Sequence, residues 1–150
     1  MPQSLAKLHI HLIFSTKNRQ RLLSDDIRPE FHAYSATVLA NLNCPATIIN
    51  SVEDHVHILF DLNRTVAVAK AVEDIKKSSS KWLKTRTPEL SEFSWQAGYG
   101  AFSVSESQVL TVRRYIENQA EHHRTQTFQE EYIAFLEKHG IEHDTQYLWD

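Results

Sequence analysis

His55 and His57, two apart, and Tyr115 and Gln119, four apart, are the side chains of this chain whose types and spacing could do chemistry. Imidazole is the commonest protein ligand for metals. Alternate residues of a strand share a face, so two such rings could bridge one divalent ion if a third ligand arrived. Residues four apart in a helix lie on one face, which would stack Tyr115 and Gln119 a turn apart. A tyrosine hydroxyl can act as a nucleophile beside a cation that orients the electrophile. A glutamine carbonyl oxygen is a hard, neutral ligand suited to Mg²⁺ or Mn²⁺. Each pair alone is weak evidence. Nine histidines make such triplets unsurprising, and His9-Ile10-His11 is a second one.

The elements that must position these residues follow from hydrophobic periodicity. Residues 8–15, 46–52, 55–61 and 99–104 are short, β-branched and aromatic, and they predict strands. Ser24-Asp25-Asp26 supplies N-cap chemistry for a helix to about Asn43, which Cys44-Pro45 breaks. Thr65 opens a second helix to about Lys84, with Val68, Val72, Ile75 and Trp82 near one stripe. Residues 85–94 form the longest loop and the one expected to be most mobile. A third helix is expected over 106–124. A fourth, over 128–139, is closed by Gly140. The order βαββαβ plus helices predicts an α+β, ferredoxin-like fold: a four-stranded antiparallel sheet with additional C-terminal helices. Val56, Ile58 and Phe60 would face the packed helices, leaving His55 and His57 on the open face.

At 150 residues the chain suits a single domain, 1–150. No apolar run approaches the roughly 18 residues needed to cross a bilayer. The stretch from Met1 to Lys7 lacks the apolar core of a signal peptide, and the single Cys44 excludes an intramolecular disulfide. A cytoplasmic protein without a membrane partner is expected. Net charge is −3, which is not the footprint of a protein coated in nucleic acid. Any DNA contact must use local basic patches: Lys17 and Arg19 with Arg21; Lys76, Lys77 and Lys81 with Lys84 and Arg86; and Arg113 with Arg114.

Taken together the motifs are specific. Asp54-His55-Val56-His57-Ile58 resembles the His-hydrophobic-His motif of the HUH endonucleases. Tyr115-Ile116-Glu117-Asn118-Gln119, followed by His122-His123, is similar to the tyrosine motif of the single-tyrosine transposases of the insertion sequence 200 family. The stretch Trp95 to Val104, the run Lys76 to Lys81, the opening Phe14 to Arg19 and the ending His139 to Trp149 also match. The resemblance implies a transposase that nicks and rejoins single-stranded DNA bearing hairpins at the element ends. Tyr115 would form a 5′-phosphotyrosine, with Mg²⁺ or Mn²⁺ on His55, His57 and Gln119. It also implies a homodimer in which the tyrosine helix can complete the partner's site.

Other residues compete for roles. His9 or His11 could line the site from the neighbouring strand, and His122 or His123 could touch DNA or metal. Two rival functions stay open on the residues alone. One is a non-catalytic nucleic-acid-binding module, including a domesticated, REP-associated-type relative. The other is a metal-dependent hydrolase using water, for which Asp54 and Asp61 are the candidate bases.

Overall fold

Alternation along the first strand decides the architecture. In β1 (His9–Ser15) Ile10, Leu12 and Phe14 point one way and His9, His11 and Ile13 the other. All seven residues are buried, so both faces of the sheet are covered. The computed structural model describes residues 2–150; Met1, which opens the stretch read above as lacking a leader, lies outside them.

β1 sits inside an antiparallel sheet of order β2-β3-β1-β4, with β2 Ala46–Ser51, β3 His55–Asp61 and β4 Gly100–Val104. Its register sets Leu12 opposite Ile58 and Phe14 opposite Val56. These side chains, with Ile10 and Phe60, lie beneath α1 (Arg28–Asn41) and α2 (Val68–Leu83). Phe31, Leu39, Val72, Ile75 and Leu83 complete that core. The fold is the expected α+β, ferredoxin-like arrangement.

The opposite face is closed by α3 (Val109–Glu117), α4 (Gln119–His122) and α5 (Phe128–Lys138). A second, smaller cluster holds this layer: Ile13 and Phe102 from the sheet, Phe128, Tyr132 and Leu136 from α5. Thr127 and Glu130 form a reciprocal capping box that starts α5. Gly140, at φ +65°, ends it as expected. No helix among the described residues is long and apolar enough to cross a membrane.

Three expectations are corrected. α1 begins at Arg28 rather than at the Ser24-Asp25-Asp26 cap. Pro29 has no N–H and a fixed φ, so it suits only the first turn. The Ser24 carbonyl instead accepts from the amides of Ile27 and Arg28, both at 3.2 Å, in a preceding turn. α2 starts at Val68 because Asn63 Oδ1 accepts from the Thr65 amide (2.9 Å) and hydroxyl (2.6 Å), holding a turn there. Residues 85–94 are not a plain loop: Pro88–Leu90 forms a 3-10 turn, and Leu90 and Phe93 are buried in the main core.

Gly100 marks where α5 meets the sheet. A Cβ there would lie 2.7 Å from Tyr132 Cε2 and 3.0 Å from Phe102 Cε2, closer than carbon atoms tolerate. Gly100→Ala is expected to force α5 outward and to destabilise the chain by about 1–3 kcal/mol. Chemical denaturation measures it; a variant as stable as the parent would mean that the helix seat is slack.

Candidate active site

The two strand histidines reach the same buried spot, and α4 and α5 bring the rest. His55 and His57 are fully buried on the face of β3 that α1 and α2 leave free. Their Nε2 atoms stand 3.4 and 3.0 Å from Oε1 of Glu131, a residue of α5 that is 1% exposed. His123 Nε2, just past α4, is 3.1 Å from the same oxygen. Among the described residues, His55, His57, His123 and Glu131 each offer a ligand atom within 4.8 Å of the others. This cluster could hold a metal ion.

The surroundings orient each ring so that Nε2 points inward. Asp54 Oδ1 accepts from His55 Nδ1 at 2.7 Å. The Gln126 carbonyl accepts from His123 Nδ1 at 2.7 Å. Carboxylate and carbonyl oxygens only accept here, so both Nδ1 atoms carry the proton and a neutral ring leaves Nε2 as a bare lone pair. His57 Nδ1 meets His11 Nε2 at 2.8 Å, which permits the same tautomer. Gln119 Oε1 stands 3.2 Å from His123 Nε2. Its amide nitrogen is turned to the Tyr115 carbonyl at 3.4 Å, which fixes which end faces the cluster.

Lone pairs, an amide oxygen and a carboxylate therefore converge, and only positive charge reconciles them. His55 Nε2 is buried without a hydrogen-bond partner, as a ligand atom awaiting a cation would be. The donor set fits a divalent ion. The electrostatics agree. Burial would lower His55, but the carboxylates of Asp54 and Glu131 outweigh it and raise its pKa. Burial lowers His57 to about 4 against the pull of Glu131, so its ring is neutral and free to bind metal near pH 7. Burial would raise Glu131, yet the imidazoles of His123, His55 and His57 gathered round it outweigh burial and hold it far below the usual carboxylate range.

Tyr115 arrives from α3. Its hydroxyl donates to Glu131 Oε2, the second oxygen of the carboxylate that faces the histidines. Burial and that carboxylate push the phenol pKa well above its ordinary value, with Gln119 opposing. The continuous helix expected over 106–124 is corrected: α3 ends at Glu117, and Asn118, at φ −98° and ψ 25°, separates it from α4. The Asn50 side-chain amide, on β2, donates to the carbonyls of Ile116 (2.8 Å) and Glu117 (3.3 Å). A strand side chain thus takes carbonyls at the end of α3, and the helix changes direction there. Tyr115 and Gln119 stay close, on either side of the break.

The basic candidates scatter. Arg19 lines a cleft of about 680 Å³ that runs past Asp54 and His123, together with Arg21, Arg28 and Arg124. Lys17 is exposed at the nearby end of β1. Arg113 pairs with Glu117 at 3.2 Å, and Arg114 is exposed on α3. Lys76, Lys77 and Lys81 ride on α2, across the sheet from the cluster. Lys76 is committed internally, donating to the carbonyls of Gln96, Ala97 and Gly98 at 2.7–3.3 Å. Residue types and spacing did not single out Glu131, Arg28 or Arg124. For Glu131 a signal existed: a lone acid on the stripe Phe128, Glu131, Phe135 of an amphipathic helix.

Comparison with known proteins converges on one family. The profile of IS200-like transposases matches residues 4–119. The ISDra2 transposase TnpA of Deinococcus radiodurans is 25% identical over 118 residues, covering 75% of this chain and 84% of the relative. Two solved structures share the fold. A candidate transposase from Deinococcus radiodurans R1 aligns with a TM-score of 0.62 and 23% identity, over 79% of this chain and 98% of that one. A REP-associated tyrosine transposase bound to a REP hairpin gives 0.56 and 13%, over 81% and 73%. With more than two thirds of its length, including both motifs, inside the family profile, this chain belongs to the IS200-like transposases.

Proposed function

We propose that the chain is a single-stranded-DNA transposase that nicks and rejoins DNA through Tyr115, with a divalent ion held on the buried histidine cluster. The observation that carries this is the meeting of His55, His57 and Tyr115 around one carboxylate in a family of transposases. Tyr115 Oη bonds to the scissile phosphorus as the P–O3′ bond breaks. The phenol proton is released and the 3′ oxygen leaves as a hydroxyl. A different 3′-hydroxyl then reverses the step, and the phosphodiester energy is conserved throughout. His55, His57 and Gln119, with His123 beside them, would hold Mg²⁺ or Mn²⁺; three imidazoles favour Mn²⁺. When bound, the ion polarises the phosphate and stabilises charge on its oxygens.

The cleft lined by Arg19, Arg21, Arg28 and Arg124 offers a path for the phosphate backbone, with Lys17 at its margin. The hairpin held by the REP-associated relative supports a hairpin-bearing partner for this chain too. Such a protein would work in the cytoplasm, as one domain and as a homodimer. Within one chain Tyr115 lies beside Glu131 and its own histidines, which supports a site completed in cis.

Incubation with single-stranded DNA and Mn²⁺ tests this. A denaturation-resistant adduct should form, and digestion with mass spectrometry should place the DNA on Tyr115. Mixing Tyr115→Phe chains with His55→Ala/His57→Ala chains should give no adduct. DNA on another side chain ends the proposal; an adduct in the mixture would make the site intermolecular.

A further inference from the structure

We infer that Glu131 is a ligand of the divalent ion in this chain and, through its other oxygen, the group that ties Tyr115 to that ion. The inference rests on the cation proposed above. It goes beyond the family resemblance, because the profile match ends at Gln119 and Glu131 lies twelve residues later on α5.

The distances carry the first half. Ligands about 2.1 Å from one ion are spaced about 3.0 Å apart along octahedral edges and about 3.4 Å along tetrahedral ones. Glu131 Oε1 lies 3.0, 3.4 and 3.1 Å from the Nε2 atoms of His57, His55 and His123. A carboxylate that merely plugged the space would need one good donor. This one stands at ligand spacing from three nitrogens, two of which have their protons fixed on the far side of the ring. Charge argues the same way. Imidazoles and an amide are neutral ligands, so without Glu131 a divalent ion would sit buried with no anion touching it. Asp54 is one residue further out, behind the His55 ring.

The second half rests on the division of labour within the carboxylate. Oε1 faces the histidines while Oε2 accepts from the Tyr115 hydroxyl. One rigid, three-atom group therefore spans from nucleophile to ion. Ion binding and phenol placement become one event, and Glu131 acts on the tyrosine as a positioning residue. α5 is thereby part of the active site rather than a cover over it.

Neither half needs DNA cleavage to be tested. Mn²⁺ alone is titrated into the parent and into Glu131→Gln, and free ion is followed by electron paramagnetic resonance. Affinity should fall at least tenfold in the variant, with circular dichroism reporting an intact fold. On the parent protein alone, Mg²⁺ is added to chains labelled with ¹³C at tyrosine Cζ, and the Tyr115 signal is assigned through Tyr115→Phe. It should shift with ion occupancy, and in Glu131→Gln the shift should vanish even at saturating ion. Unchanged or tighter Mn²⁺ binding in the variant overturns the ligand role. A Tyr115 signal blind to Mg²⁺ in the parent overturns the link. If neither protein binds Mn²⁺, the cation proposal falls and this inference falls with it; loss of DNA cleavage with normal ion binding would count only against the proposed reaction.

Discussion

Single-stranded DNA stays intact when Tyr115 is replaced by phenylalanine, with cleavage reduced on the order of 10⁴-fold or more. The ring keeps its place, so the variant removes one oxygen and little else. Tyr115 packs against His122 with centroids 4.4 Å apart and meets Phe135 edge-on at 5.6 Å, contacts that phenylalanine preserves. The loss falls on bond formation to phosphorus, and DNA affinity should change by less than about threefold, since the phenol is one contact among many phosphate contacts. Gel-based cleavage and binding assays separate the two. The rival that this discriminates is a hydrolase using water. Glu131 gives that rival something the sequence alone did not, a buried carboxylate beside the histidines. A Tyr115→Phe chain that still cuts DNA would hand the reaction to water and end the transposase mechanism.

Loss of His57 should be nearly as severe for activity and should also reach the fold. His57→Ala deletes a proposed ligand and with it the placement of the ion, whose charge stabilisation would be worth several kcal/mol; a fall of about 10³-fold in cleavage is expected. It also removes His57 Nε2 from its place 3.0 Å from Glu131, and a buried charge stripped of a partner costs about 3–5 kcal/mol. The variant should therefore melt well below the parent. The double variant His57→Ala/Glu131→Gln should recover part of that stability and none of the activity. Thermal unfolding and cleavage assays on the two proteins decide it. If His57→Ala unfolds like the parent, Glu131 is compensated by some other group and the cluster is not a tight unit.

How much of this was legible beforehand differs between the two layers. The sheet was: period-two alternation in residues 9–15 and 55–61 assigns one face to the core and the other to histidines, and strands of that length leave little choice of register. The helix covering the histidines was only half legible. Residues 106–124 show helical periodicity, but the break at Asn118 goes with the Asn50 side chain on β2, 66 residues before the Ile116 carbonyl it binds, and no local pattern encodes it. His123 was visible as a candidate and became specific only once α4 turned it inward. Glu131 needed α5 to be docked first, since an acid on an apolar stripe says that it will be buried and nothing about what it will meet. The DNA-facing residues were least legible, because exposed lysines and arginines look alike in sequence. Lys76 is spent on three carbonyls, and Arg28, which no spacing singled out, lines the cleft while bonded to the Leu23 carbonyl and paired with Asp25.

The layer that carries α5 is the weakest joint of the molecule. Five buried side chains hold it, two of them supplied by the sheet, whereas α1 and α2 share a far larger core with the opposite face. Sub-global opening follows such differences, so residues 128–138 would exchange their amide protons ahead of β1 and β3. The divalent ion proposed for the histidine cluster would close that joint, by about 2.7 kcal/mol when present at a hundred times its dissociation constant. The abundance of this protein in a cell would then track its supply of divalent metal. Proteases would then meet the metal-starved chain with its last helix ajar and the loaded chain with it shut.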